Sequence, residues 1–169
     1  MKPIKKIQTE NLDKLYDYIN LKIVGFINEE ENWIANLGNI TAILNYLLDD
    51  LNWVGFYLAR KDYLILGPFQ GKVACTKIKI GQGVCGSAFQ NSQTQKVDDV
   101  SSFLGHIPCD EDTKSEIVIP IKYKDIVVGV LDIDSPILNR FSEEDQRGLE
   151  KIVATIEKYL VFDEILNVI

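Results

Sequence analysis

The sequence predicts an α+β fold, and three observations carry that prediction. Apolar residues recur at steps of three and four near both ends of the chain. The middle alternates with period two, and short polar links suited to hairpins divide it. Helices at both ends of a hairpin-rich sheet are an α+β arrangement. The 169 residues fit one domain spanning 1–169, with N-terminal helices over 1–50, a sheet and its loops over 53–135, and a C-terminal helix over 142–166. Hydrophobic residues at 46% and charged residues at 25% are ordinary globular usage, which argues against a disordered or membrane-spanning chain.

Each element has its own signal. Between Ile7 and Phe26 the residues Leu12, Leu15, Tyr16, Ile19, Ile23 and Phe26 form one helical stripe, with Asn11 or Thr9 as the cap. A polar turn at Asn28–Asn32 leads to a second stripe from Trp33 to Leu48, closed by Asp49 and Asp50. Trp33 and the first helix suit a dimer interface as well as a monomer core. Two β-type runs follow, Trp53–Arg60 and Tyr63–Phe69, joined through Lys61-Asp62 as a hairpin. A Gly-Pro-Phe-Gln-Gly loop (67–71) is expected to break the second run. Further strands are expected at Cys75–Ile80 and Thr94–Val100, with a short helix at Val84–Asn91 after the glycine loop 81–83. Ser101–Lys114 reads as a long loop. Glu116–Tyr123 and Ile126–Ile133 are nearly continuous in apolar residues and flank a Lys124-Asp125 turn, so both belong near the middle of the sheet. Ser142-Glu-Glu-Asp145 is a capping-box sequence that opens the last helix.

Charge narrows the function. A net charge of −7, with no basic patch to offset it, disfavours nucleic-acid binding. The basic start MKPIKKIQTE lacks a following apolar h-region, no run is long enough to cross a bilayer, and the expected location is cytoplasmic.

All three cysteines, Cys75, Cys85 and Cys109, and the single histidine, His106, fall between positions 75 and 109. Three readings compete for the thiols. They suit small buried hydrophobes, the usual fate of free cysteine. A metal set with His106 fits poorly, because no close C-x-C-type pair is present, and no metal is expected. Thiol redox chemistry is the third reading, in which one cysteine becomes a sulfenic acid and a second condenses with it. Cys109 lies in a polar, turn-rich stretch where a thiolate would be accessible, but Asp110, Glu111 and Asp112 follow it and oppose ionisation. Lys114 or a charged substrate is expected to offset them.

The acidic residues form a second constellation. Asp132 and Asp134 flank Ile133 and so share one face of a strand end. They read either as a solvated strand end or, with Glu116 on the neighbouring strand, as a pocket mouth for an ammonium group. Three carboxylates so placed raise one another's pKa, which would keep one protonated as a general acid. Trp53 and Tyr57 either pack in the core or wall an apolar slot.

Taken together, WVGFY (53–57), LGPFQGKVAC (66–75), GQGVCG (81–86), GHIPCD (105–110), SEIVIP (115–120) and GVLDIDSP (129–136) resemble the free methionine-(R)-sulfoxide reductases, a family of stand-alone GAF domains. The resemblance covers about residues 33–155. It implies a six-stranded antiparallel sheet flanked by N-terminal helices and a long C-terminal helix, commonly in a homodimer. It implies reduction of free L-methionine-R-sulfoxide with Cys109 as nucleophile, Cys75 as resolving cysteine and Cys85 as an auxiliary. It also implies that Glu116, Asp132 and Asp134 recognise the amine and assist at the sulfoxide oxygen, with Trp53 and Tyr57 near the substrate methyl. No bound cofactor is implied. The reductant would be an external thioredoxin-like protein, linked to NADPH. The alternative is a GAF-type sensor that binds a small ligand without turnover, which leaves the cysteine trio unexplained.

Overall fold

Side chains alternate across the central strands of a single sheet, so each face of that sheet gathers its own apolar core. The computed structural model describes residues 4–27, 32–105 and 110–168. Two helices open it, α1 (Leu12–Phe26) and α2 (Trp33–Leu47), followed by the strands β1 (Trp53–Arg60), β2 (Tyr63–Gly71) and β3 (Lys77–Lys79). Next come α3 (Gly83–Asn91), β4 (Gln95–Val97), a 3-10 turn at Val100–Ser102, β5 (Ser115–Tyr123) and β6 (Ile126–Ser135). The long helix α4 (Glu143–Tyr159) and the short α5 (Asp163–Leu166) finish the chain. The six strands form one antiparallel sheet in the order β3-β2-β1-β6-β5-β4, so the two apolar strands expected near the middle, β5 and β6, do lie inside it.

The larger core lies under α1, α2, α4 and α5, where Phe56, Ile117, Ile121, Leu131 and Ile133 meet Ile19, Leu44, Ile152 and Phe162. The smaller core lies under α3 and is built from Trp53, Tyr57, Leu64, Ile78, Val84, Val118 and Val130. Both turns expected to close hairpins do so. Lys124 and Asp125 have φ of 52° and 63°, the paired left-handed conformation of a two-residue hairpin turn.

Several boundaries differ from the sequence reading, each for a physical reason. The Gly-Pro pair at 67–68 does not break β2. Gly55 pairs with Phe69 and Tyr57 with Leu66, so Gly67 and Pro68 form a bulge opposite Phe56, where the missing proline N–H costs no ladder bond. Cys75 precedes β3 instead of lying on it, because only Lys77–Lys79 finds a partner in β2. The first helix starts at Leu12, where Asn11 accepts from the Lys14 N–H at 2.9 Å. The last helix stops at Tyr159, and Asp163–Leu166 is a separate turn of helix rather than its continuation. The polar turn expected at Asn28–Asn32 lies outside the described residues except for Asn32, which caps α2.

The capping box at Ser142 forms, and its acidic member does more than cap. Asp145 accepts from the Ser142 N–H at 2.8 Å, from Arg140 Nη1 at 3.2 Å and from the buried Tyr16 hydroxyl at 2.7 Å. This clasp draws α1 against α4 so closely that a β-carbon on Gly148 would sit 2.1 Å from the Tyr16 ring. Alanine at 148 would gain up to about 1 kcal/mol of helix propensity. The clash with a buried ring outweighs it, so Gly148→Ala is expected to lower stability by about 1–3 kcal/mol in chemical denaturation. Unchanged stability would show that the α1–α4 contact is looser than described.

Candidate active site

Strand register collects the acids that are separated in sequence. Glu116 on β5 lies opposite Asp134 on β6, which lies opposite Trp53 on β1. One pleat further along, Asp132 sits between Gly55 and Val118. Alternation sends Ile133 into the large core and turns Asp132 and Asp134 to the α3 side, as their spacing predicts. The first turn of α3 covers them. Cys85 there donates its S–H to Asp132 Oδ2 at 3.1 Å, with Glu116 Oε1 4.0 Å from the sulfur.

Burial governs the protons of this cluster. Desolvation, reinforced by the charges of Asp132 and Asp134 and by a hydrogen bond to Asp132, holds the Glu116 carboxyl well above the usual range. Asp134, the more open of the three, is also pushed well up, by desolvation and by the charges of Asp132 and Asp110. Asp132 rises less, to about 6, because hydrogen bonds from Cys85 and Glu116 favour its charged form against desolvation. The Cys85 thiol is raised by burial and by the acids around it. Asp132 is therefore the least raised acid of the cluster, while burial biases Glu116, Asp134 and Cys85 toward their protonated forms.

Aromatic side chains wall the cavity, a cleft with about 30 Å³ of space open to a water-sized sphere. Trp53 stacks on Tyr57 at 5.8 Å between ring centroids and on Phe69 at 5.4 Å. This stack requires Gly55, since a β-carbon there would lie 2.4 Å from the Trp53 ring. The Tyr57 hydroxyl donates to the Cys75 carbonyl at 2.9 Å, which seats half-buried Cys75 beside the slot. Gln82 to Cys85 form another wall, and the Gln82 side chain does not cap α3, so among the described residues its first-turn amides lack the usual N-cap acceptor. Two buried atoms in the wall, Asp132 Oδ1 and Trp53 Nε1, lack any hydrogen-bond partner among the described residues.

Cys109 and His106 lie outside the described residues. Asp110, the next residue in the chain, is held by several polar contacts. Its carboxylate accepts from Asn52 Nδ2 at 3.1 Å, from Lys72 Nζ at 3.2 Å and from the Asp112 N–H at 3.0 Å. The Asp112 N–H, Asn52 and Lys72 together lower its pKa, so it stays charged at the cavity edge. Lys72 also pairs with Asp112, and Asn52 donates to Thr113 Oγ1 at 2.9 Å. Asn52, Lys72 and Thr113 had no local signal in the sequence, because what places them is contact between distant segments.

The ligand atoms of Cys85, Glu116 and Asp132 lie within 4.8 Å of one another, a spacing that could hold a metal ion. Within this set Cys85 and Glu116 both hydrogen-bond to Asp132. The GAF domain family model matches residues 32–160. The free methionine-R-sulfoxide reductase of Escherichia coli K12 is 46% identical over 150 residues, covering 89% of this chain and 91% of its own. The chain belongs to the free methionine-R-sulfoxide reductase family of GAF domains. Solved members of the family superpose closely. The free methionine-R-sulfoxide reductase of Neisseria meningitidis, solved in complex with its substrate, gives a TM-score of 0.89 at 37% identity over 94% of this chain and 95% of that one. The reduced fRMsr of Staphylococcus aureus gives 0.84 at 49% identity over 94% and 100%. The six-stranded sheet and flanking helices expected from the family resemblance are those observed.

The acid cluster of this reductase fold has a stability signature. Each of these carboxyls binds its proton more tightly folded than unfolded. Folding is therefore favoured most below the ordinary carboxylate values, 3.8 for Asp132 and Asp134 and 4.5 for Glu116. That advantage is lost as pH rises through the folded values, about 6 for Asp132. Replacing Asp134 by Asn removes one such group without changing its shape. Asp134→Asn is expected to be more stable than the natural chain at pH 8 and no more stable at pH 4, measured by urea unfolding. A difference independent of pH would contradict the buried-proton assignment.

Proposed function

We propose that this chain reduces free methionine-R-sulfoxide to methionine through a cysteine sulfenic acid. Membership of the family makes it an oxidoreductase. The observation that carries the substrate reading is the half-unpartnered Asp132, with Glu116 and Asp134 beside it, in an aromatic-walled slot beside two cysteine-bearing segments.

Each group has a role in this reading. Asp132 Oδ1 accepts from the substrate ammonium. The first-turn amides of α3 and the indole N–H of Trp53 donate to the substrate carboxylate and the sulfoxide oxygen, while Trp53 and Tyr57 pack the methyl group. Glu116 is engaged with Asp132, and Asp134 holds its proton next to Asp110, the neighbour of Cys109. Asp134 is accordingly the general acid. The Cys109 thiolate attacks the sulfoxide sulfur, Asp134 supplies a proton to the oxygen, and the S–O bond of the substrate breaks as that hydroxyl passes to the Cys109 sulfur, releasing methionine and leaving Cys109 as a sulfenic acid. The Cys75 thiol displaces that hydroxyl as water and closes a Cys75–Cys109 disulfide. A thioredoxin-like dithiol, itself reduced from NADPH, restores both thiols, and no cofactor need stay bound. Cys85 anchors Asp132 in its charged form. The cytoplasm suits a cycle that depends on such a reductant.

Turnover of free methionine-R-sulfoxide, coupled to NADPH through thioredoxin and its reductase, is the direct test. The natural chain should turn over and Cys109→Ser should not. Absence of turnover in the natural chain, with the ligand still bound, would favour a sensor instead. A sulfoxide inside a peptide lacks the free ammonium and carboxylate, so its kcat/KM should fall at least about 100-fold, roughly the 2.7 kcal/mol of two lost polar contacts. Comparable rates for free and peptide-bound sulfoxide would refute the assigned contacts.

The same assignment sets a pH dependence. Asp132 must be ionised to hold the ammonium, and its pKa is about 6. KM should therefore rise roughly tenfold per pH unit below about 6 and level off above it. Asp132→Asn should raise KM and abolish that inflection. An inflection that persists in Asp132→Asn belongs to another group.

A further inference from the structure

We propose that Lys72 is the positioning residue that makes the two-cysteine cycle work, by tying the Cys75 segment to the Cys109 segment and cancelling the acidic charge beside Cys109. This rests on the thiol reading above and assigns a residue that the mechanism does not otherwise use.

Three observations carry it. Lys72 stands three residues before Cys75, and its ammonium bonds Asp110 at 3.2 Å and also pairs with Asp112. Asp110 directly follows Cys109 in the chain, so the bridge links the two redox segments across 38 positions. Both ends are anchored independently: the Cys75 carbonyl is held by Tyr57, and Asp110, with its side chain only 8% exposed, is held by Asn52. Lys72 is the cross-link between two otherwise separate anchors.

The bridge meets two needs of the chemistry. Asp110, Glu111 and Asp112 disfavour a thiolate at Cys109, and the sequence left Lys114 as the nearest compensating cation. Lys72 takes that place from another loop, with two of the three carboxylates paired to it. The cross-link also shortens the search of Cys75 for the sulfenic acid. In that step the Cys75 sulfur bonds the Cys109 sulfur, the S–O bond breaks, and the oxygen leaves as water with the Cys75 proton. Lys72 is 61% exposed, so the pairing is open to screening by salt.

The test needs no sulfoxide turnover. The pH dependence of iodoacetamide alkylation, resolved per cysteine by peptide mass spectrometry, reads the Cys109 thiolate directly. Hydrogen peroxide, one equivalent, oxidises the Cys109 thiolate to the sulfenic acid and is itself reduced to hydroxide, after which disulfide closure is timed by acid quench. Lys72→Met should move the Cys109 alkylation midpoint up by about half a unit or more and slow closure several-fold. Lys72→Arg should restore both. Rising salt should slow closure in the natural chain toward the Lys72→Met rate and leave Lys72→Met unchanged, a response that a merely structural role would not produce. Unaltered midpoint and closure in Lys72→Met, or an Arg variant as impaired as Met, would overturn the proposal. If Lys72 governs Cys109 in this way but the natural chain fails to reduce methionine sulfoxide, the substrate reading falls and the role of Lys72 stands.

Discussion

Three carboxyl groups beneath one helix turn constrain everything around them. Ionised carboxylates taken out of water cost far more than a small domain can supply, so such a cluster persists only if most of its members keep their protons and share hydrogen bonds. Burial pushes Glu116 and Asp134 well toward their protonated forms, Asp132 rises less, and the buried Cys85 thiol helps stabilise its charged form. The cluster opposes folding at neutral pH. The opposite face of the sheet offsets it with a large apolar core under four helices.

That division between faces is how the chain reconciles stability with chemistry. β1, β5 and β6 contribute Val54, Phe56, Ile117, Ile119 and Ile133 to one side and Trp53, Tyr57, Glu116, Asp132 and Asp134 to the other. A one-residue slip in β5 or β6 would exchange the two sets, placing acids in the core and leucine or isoleucine in the pocket. Register is therefore specified twice, once by the burial of the core face and once by the exclusion of charge from it.

Much of this was legible from local pattern. The alternation of Asp132, Ile133 and Asp134 places two acids on one face regardless of what the rest of the chain does. The Lys124-Asp125 turn and the Ser142 capping box are likewise local, and both formed. What could not be read required distant segments to meet. The alignment of Glu116 with Asp134 is a matter of register, the covering of Asp132 by Cys85 depends on where α3 packs, and the grip of Asn52 and Lys72 on Asp110 joins three loops. The Gly67–Pro68 pair misled for a related reason. Its composition signals a loop, but a bulge opposite Phe56 lets β2 continue past it, and pairing with β1 decided the outcome.

The two outermost strands, β3 and β4, are each three residues long. Both carry lysine, at 77 and 79 on one and at 96 on the other. Short, cationic borders present little free backbone for another strand to join. The sheet is thereby closed to growth at both sides, and another chain would have to meet this one through side chains, since neither border offers a strand long enough to extend the sheet into a ribbon.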